Sequence, residues 1–192
     1  LSIELYNAAE RRGLQYLCND GIRAFSPFTF VKECYPAYVH CEAELVRYVD
    51  TMHEMCQPKA HFGKYPYSAA EATLVSQQSS RVMQLTEGLF GRAIRPWIGP
   101  LFTVKLVRVV QALAAIYHQP SLKIFELGCG SGHLGSQIIS LGHTYWGMDN
   151  CQAFYLWQNR LFEHAAQGDF YDGALEESFP YAKAARANHM PW

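Results

Sequence analysis

The apolar positions of this chain keep two periods, and the change falls at Gln119-Pro120. Before it, they recur every three or four residues. From Tyr38 to Cys56, Val39, Leu45, Val46, Val49, Met52 and Cys56 stand among charges, which predicts an amphipathic helix. Ser68 with Glu71 makes a capping-box pattern and opens a second helix that runs to about Glu87. Leu101 to His118 is the clearest helix, with Leu106, Val109, Val110, Leu113 and Tyr117 at helical spacing. Residues 2–18 repeat the pattern more weakly. FSPFTF (25–30), CYP (34–36), Pro58, HFGKYPY (61–67) and GRAIRPWIGP (91–100) interrupt it.

After Pro120 the runs shorten. LKIFEL (122–127) is an apolar run ending in glycines, residues 133–141 are helical, HTYWGMD (143–149) is a second strand, and residues 152–162 a further helix. Strand, glycine loop, helix, strand, helix is a βαβα unit, so an α/β fold with a parallel sheet and right-handed crossovers is expected. A doubly wound sheet has about five to seven strands. Two are clear here, and residues 182–192 hold a candidate third. The expected architecture is therefore a helical N-terminal cap or substrate region over residues 1–118. Residues 119–192 are expected to form the N-terminal part of a Rossmann-like domain, incomplete at its C-terminal side. A start at Leu1 rather than Met fits a trimmed fragment.

Composition narrows the class. With 192 residues, 49% hydrophobic and 17% charged, the chain suits one ordinary packed domain with a helical extension. Sixteen basic and 17 acidic side chains give a net charge of −1, which offers no electrostatic reason for nucleic-acid binding. Six cysteines, at 18, 34, 41, 56, 129 and 151, form no CxxC pair and read as scattered reduced thiols of a cytoplasmic protein. No run approaches the roughly 18 apolar residues of a membrane span.

The chemistry concentrates in ELGCGSGHLG (126–135) and in Asp149, which ends YWGMD. The four glycines parse in two ways. Gly130-x-Gly132-x-x-Gly135 is the dinucleotide fingerprint, with a pyrophosphate over the helix N-terminus. That parsing leaves Gly128 inside the strand. Gly128-x-Gly130-x-Gly132 keeps LKIFEL whole and sets Glu126 near the strand's end. An anion there repels a pyrophosphate and suits a cationic or amine-bearing ligand such as S-adenosylmethionine, with its sulfonium and α-ammonium groups. Asp149, ending the second strand, has the place of an acid that binds ribose hydroxyls.

FELGCGSGHLG followed by YWGMD resembles motif I and the acidic motif II of the class I S-adenosylmethionine-dependent methyltransferases, over roughly residues 120–163. The resemblance implies that Gly128, Gly130 and Gly132, with Leu127, Cys129 and Ser131 between them, pack against the methionine part of the cofactor. It makes Glu126 the motif I acid and Asp149 the ribose ligand, with Asn150 beside it. The activity it implies is methyl transfer to a small-molecule or saccharide acceptor, at oxygen. MDNCQAFYLWQNRLF (148–162), an acid before an aromatic-rich helix, is similar to a group of sugar O-methyltransferases. The alternative for Phe154, Tyr155, Trp157 and Phe162 is plain packing of that helix on the sheet. Two other functions stay open: a non-catalytic module that binds the cofactor or a partner, and an NAD-dependent oxidoreductase.

No catalytic base is assigned. In that family such groups come from the loop after the fourth strand or from insertions. His133 follows Gly132 and is either near the methyl donor or simply the first turn of a helix. Asp169 is a candidate adenine contact or a turn acid, and His189 and Trp192 are candidates for a cofactor or substrate loop. Arg92, Arg95 and Trp97, like Tyr65 and Tyr67, are lid candidates or plain connections. His53, Glu54, Cys56, His61 and Cys41 match no common zinc spacing, so no metal is expected, and solvated or capping helix-end histidines are the simpler reading. Oligomerisation is left open by the sequence.

Overall fold

The computed structural model describes residues 3–8, 39–54, 67–96, 99–149, 151–167 and 170–172. Asn150, Trp97, Tyr65, Cys56, His61, Asp169, His189, Trp192 and the candidate strand in 182–192 lie outside the described residues. Residues 3–8 are helical. The elements that follow are α1 (Glu42–Glu54), α2 (Ala69–Phe90), α3 (Gly99–Ile116), β1 (Lys123–Leu127), α4 (His133–Ser140), β2 (Thr144–Met148) and α5 (Gln152–Ala166). The fold is α/β, with a parallel β1–β2 pair in register from Lys123↔Thr144 to Leu127↔Met148.

Local chemistry explains the helix limits. Ser68 Oγ accepts from the Glu71 N–H while a Glu71 carboxylate oxygen accepts from the Ser68 N–H, which is the capping box expected at the start of α2. The helix passes the expected stop near Glu87 and tolerates Gly88. It ends at Gly91, whose φ of 69° no ordinary residue adopts cheaply and whose N–H donates to Glu87 O. α5 likewise runs four residues beyond Phe162, to a left-handed Gln167.

One hydrophobic core crosses residue 118. Ile3, Tyr6, Val39, Leu45, Val49, Met52, Val82 and Ile94 pack with Leu156, Trp157 and Leu161 of α5. α1 lies on α5, and α3 lies on α4. Along α3 the buried residues are Pro100, Val104 and Val107, whereas the helically spaced Leu106, Val109 and Leu113, and Tyr117 just beyond the helix, are exposed.

Alternation gives the sheet two unlike faces. Ile124, Glu126, Tyr145 and Gly147 lie on the half-buried side, toward α4 and α5. Phe125, Leu127 and Trp146, on the other side, are 60%, 70% and 50% exposed.

Candidate functional site

β1 ends at Leu127, and the chain turns at once. Gly128, Gly130 and Gly132 have φ of 72°, 55° and 72°. All three sit in the left-handed region that glycine enters without a Cβ penalty. The Gly128 N–H donates to Met148 O at 2.7 Å and the Gly132 N–H to Cys129 O at 3.0 Å. A Cβ added at Gly128 or Gly130 would meet nothing within 4 Å, so the backbone there borders open space. The turn thus begins at Gly128, as the Gly128-x-Gly130-x-Gly132 parsing requires. Gly135 is different. It lies inside α4, and a Cβ there would stand 2.5 Å from Tyr145 Cζ and 2.7 Å from Phe162 Cε1. Its lack of a side chain serves helix–strand packing.

Asp149 braces this loop. It is only 4% exposed. Its Oδ2 accepts from the Gly130 N–H at 2.9 Å and from Gln158 Nε2 at 3.0 Å, and its Oδ1 from the Cys151 N–H at 3.0 Å. Gln158 Nε2 also donates to Gly130 O at 2.6 Å, and Trp157 Nε1 to Ser131 O at 3.0 Å. Two neighbouring side chains of α5 therefore hold two loop carbonyls. Of the residues singled out from the sequence, Glu126, Gly128, Cys129, Gly130, Ser131, Gly132 and Asp149 come together around one turn. Leu127 points to the exposed sheet face.

Glu126 is half-buried and receives the Tyr145 hydroxyl on Oε2 at 2.5 Å. Burial raises its carboxyl above the usual range, the Tyr145 hydrogen bond works against that rise, and the Asp149 charge adds to it. Cys129 lies below the loop, its thiol donating to Glu126 O and Met148 O at 3.5 and 3.6 Å. Burial pushes this thiol up to about 11, so it stays protonated and is a packing group rather than a nucleophile.

His133 does not face the loop's open side. It is fully buried, its Nδ1 accepts from Gln78 Nε2 at 3.4 Å, and its ring meets His53 edge-on at 5.3 Å. This supports the first-turn reading over contact with a methyl donor. His53 corrects another expectation, because it is neither solvated nor a cap. Its Nδ1 donates to Val49 O at 2.6 Å, its ring lies 5.4 Å from Trp157, and its Nε2 is buried without a partner among the described residues. Burial lowers the pKa of both histidines, that of His133 further because His53 is beside it, and for His53 the Val49 carbonyl opposes the fall. Among the described residues no group of three or more His, Cys, Asp or Glu side chains is placed to hold a metal. No described helix is long and apolar enough to cross a membrane.

Tyr155, Trp157 and Phe162 are buried, and Phe154 packs against the core. The aromatic face of α5 is thus used for packing. Arg92, a lid candidate, is paired with Asp50 of α1. Sequence reasoning missed Tyr145, Gln158 and Asp172. Asp172 accepts from Tyr155 OH at 2.6 Å, from Asn159 Nδ2 at 2.8 Å and from Tyr6 OH, which ties residues 3–8 to α5. A signal did exist: polar Gln158 and Asn159 interrupt an otherwise apolar helix face, and buried amides need partners.

Comparison of the chain with protein-family models, with curated proteins and with solved structures finds no match.

Proposed function

We propose that the chain binds S-adenosyl-L-methionine at the glycine loop and belongs to a methyltransferase acting on a small-molecule or saccharide acceptor, at oxygen. The observation that carries this reading is the loop itself. Three left-handed glycines follow β1 directly, and an added Cβ at Gly128 or Gly130 would project into unfilled space. The donor set fits the group. Two acids border the turn, Glu126 near the end of β1 and Asp149 after β2, which suits a ligand with both an ammonium and a ribose diol. Bound there, the cofactor supplies an electrophilic methyl group on a sulfonium.

The chain's own contribution is to hold the turn rigid. Asp149, Gln158 and Trp157 fix the orientation of the loop's N–H and C=O groups before any ligand arrives, which lowers the ordering cost of binding. Asp149 already accepts three hydrogen bonds, and a carboxylate offers about four acceptor positions. A ribose hydroxyl would therefore take the remaining capacity on Oδ1. The saccharide acceptor rests on resemblance alone, since the aromatic side chains of α5 are engaged in packing.

A non-catalytic binding module is the second reading. It is favoured by the exposed apolar sheet face of Phe125, Leu127 and Trp146, which offers a partner surface. Calorimetric titration with S-adenosylhomocysteine and with NAD tests the cofactor, with binding of the first and none of the second expected. Asp149→Asn keeps the side chain's shape but replaces one acceptor oxygen with an NH2 donor, which faces either the Cys151 N–H or the Gly130 and Gln158 donors. It should reduce S-adenosylhomocysteine affinity by about tenfold. Unchanged affinity would remove the ribose assignment. Tight binding with no methyl transfer across a broad acceptor panel would favour the second reading.

A further inference from the structure

We infer that Tyr145 is a positioning residue for this site, holding the Glu126 carboxylate at the turn so that its free oxygen meets the ammonium group of an amino-acid-bearing cofactor. The inference rests on the cofactor reading above.

Tyr145 does not face Glu126 across the ladder. In the parallel register it stands opposite Ile124, while Glu126 stands opposite Gly147. The phenol therefore runs two residues along the sheet to reach the carboxylate, and two glycines clear its way. A Cβ on Gly135 would lie 2.5 Å from Tyr145 Cζ, and one on Gly147 would lie 3.2 Å from the Tyr145 hydroxyl and 2.8 Å from Cys129 Sγ. Phe162 closes the slot edge-on, with ring centroids 5.2 Å apart. The ring is thus fixed on three sides, and its hydroxyl reaches Glu126 Oε2 at 2.5 Å and lies 3.2 Å from Cys129 Sγ. No described side chain donates to Oε1.

A slot that served packing alone would be filled equally well by phenylalanine. Here Gly147 makes room for the hydroxyl itself, at the far end of the ring. One short hydrogen bond fixes the carboxylate's torsion and satisfies one oxygen, leaving the other to a ligand. The groups around Glu126 are Tyr145 from β2, Cys129 from the turn and Asp149 after β2, while uncharged Gly135 of α4 and Phe162 of α5 pack on Tyr145. Tyr145 is the one donor among them that favours the ionised carboxylate, against burial and the Asp149 charge. Without it, the carboxyl takes up its proton at a higher pH.

The test uses two probes sharing one nucleoside: S-adenosylhomocysteine, which carries the ammonium, and methylthioadenosine, which lacks the amino-acid part. Tyr145→Phe should lose about tenfold in affinity for the first and less than about twofold for the second. Its acid limb of S-adenosylhomocysteine binding should move to higher pH. Glu126→Gln should show the same selective loss with no acid limb. If wild type binds S-adenosylhomocysteine and Tyr145→Phe matches it in affinity and pH profile, the positioning role is wrong and the cofactor reading stands. If wild type does not bind it, both fall. Circular dichroism reports whether Tyr145→Phe folds. Should it not, Glu126→Gln, which keeps an acceptor for the phenol, decides the matter, and undiminished preference for the ammonium-bearing probe overturns the inference.

Discussion

The two faces of the β1–β2 pair are made from alternate residues of the same ten, yet they are built on opposite terms. On one face Glu126, Tyr145 and Gly147 meet α4 and α5 in contacts so close that a methyl group at Gly135 would collide with two aromatic rings. On the other, Phe125 and Trp146 are paired across the strands and exposed to solvent. Parallel sheets are ordinarily covered on both sides. The difference teaches that the polar chemistry sits on the packed side, where Tyr145, Cys129 and Asp149 are held by burial. The apolar side chains that composition alone would assign to a core lie on the open side.

The largest break in that comparison comes from Gly135→Val. Its branched side chain has no room between Tyr145 and Phe162, whose rings already pack edge-on. A loss of about 3 kcal/mol is expected in urea denaturation, with the m-value unchanged. A loss below about 1 kcal/mol would mean that the packed face is looser than its geometry.

Acidification should act next, through the helical layer behind the packed face. His53 and His133 are buried, touch edge-on and have depressed pKa values. The unfolded chain binds protons at these positions below about pH 6.5 while the folded chain does not, so stability is full above that value and falls as pH drops through it. The ceiling is about 1.4 kcal/mol per pH unit for each histidine. Glu126 acts in the opposite sense, because its raised pKa stabilises the fold on acidification. The double variant His53→Gln with His133→Gln isolates the effect. Its stability should change less between pH 7 and pH 5.5 than that of wild type, and an equal change would assign the acid sensitivity elsewhere.

These residues also mark how far the sequence could be read. The βαβα order, the capping box at Ser68 and Glu71 and the turn at Gly128 follow from short-range rules, and each is present. What depends on neighbours distant in sequence was not legible. His53 and His133 are 80 positions apart, and nothing local distinguishes a buried edge-on pair from two helix-end histidines. Tyr145 looked like an ordinary strand aromatic because its partner lies diagonally across the sheet. Asp149 was legible as a candidate site residue, but its three hydrogen bonds, from Gly130, Cys151 and Gln158, were not. On α3 the periodicity located the helix, but the burial of Val104 and Val107 rather than Leu106 and Val109 is set by α2 and α4, which both pack on it.

The smallest effect belongs to the open face, and its smallness is the point. Phe125→Ser and Trp146→Ser remove large apolar groups, which in a core would cost about 3–5 kcal/mol each. These rings already keep half or more of their surface in water, so folding buries little of it. Their loss should change the stability of this 192-residue chain by less than about 0.5 kcal/mol. Their cross-strand contact accounts for about 0.2–0.5 kcal/mol, the low end of what such pairs contribute. A double-mutant cycle on Phe125 and Trp146 separates the pair term from the burial term. A coupling inside that range with small single effects keeps the face an open one. Single losses above about 2 kcal/mol would mean that both rings are covered in solution, and the contrast between the two faces would then disappear.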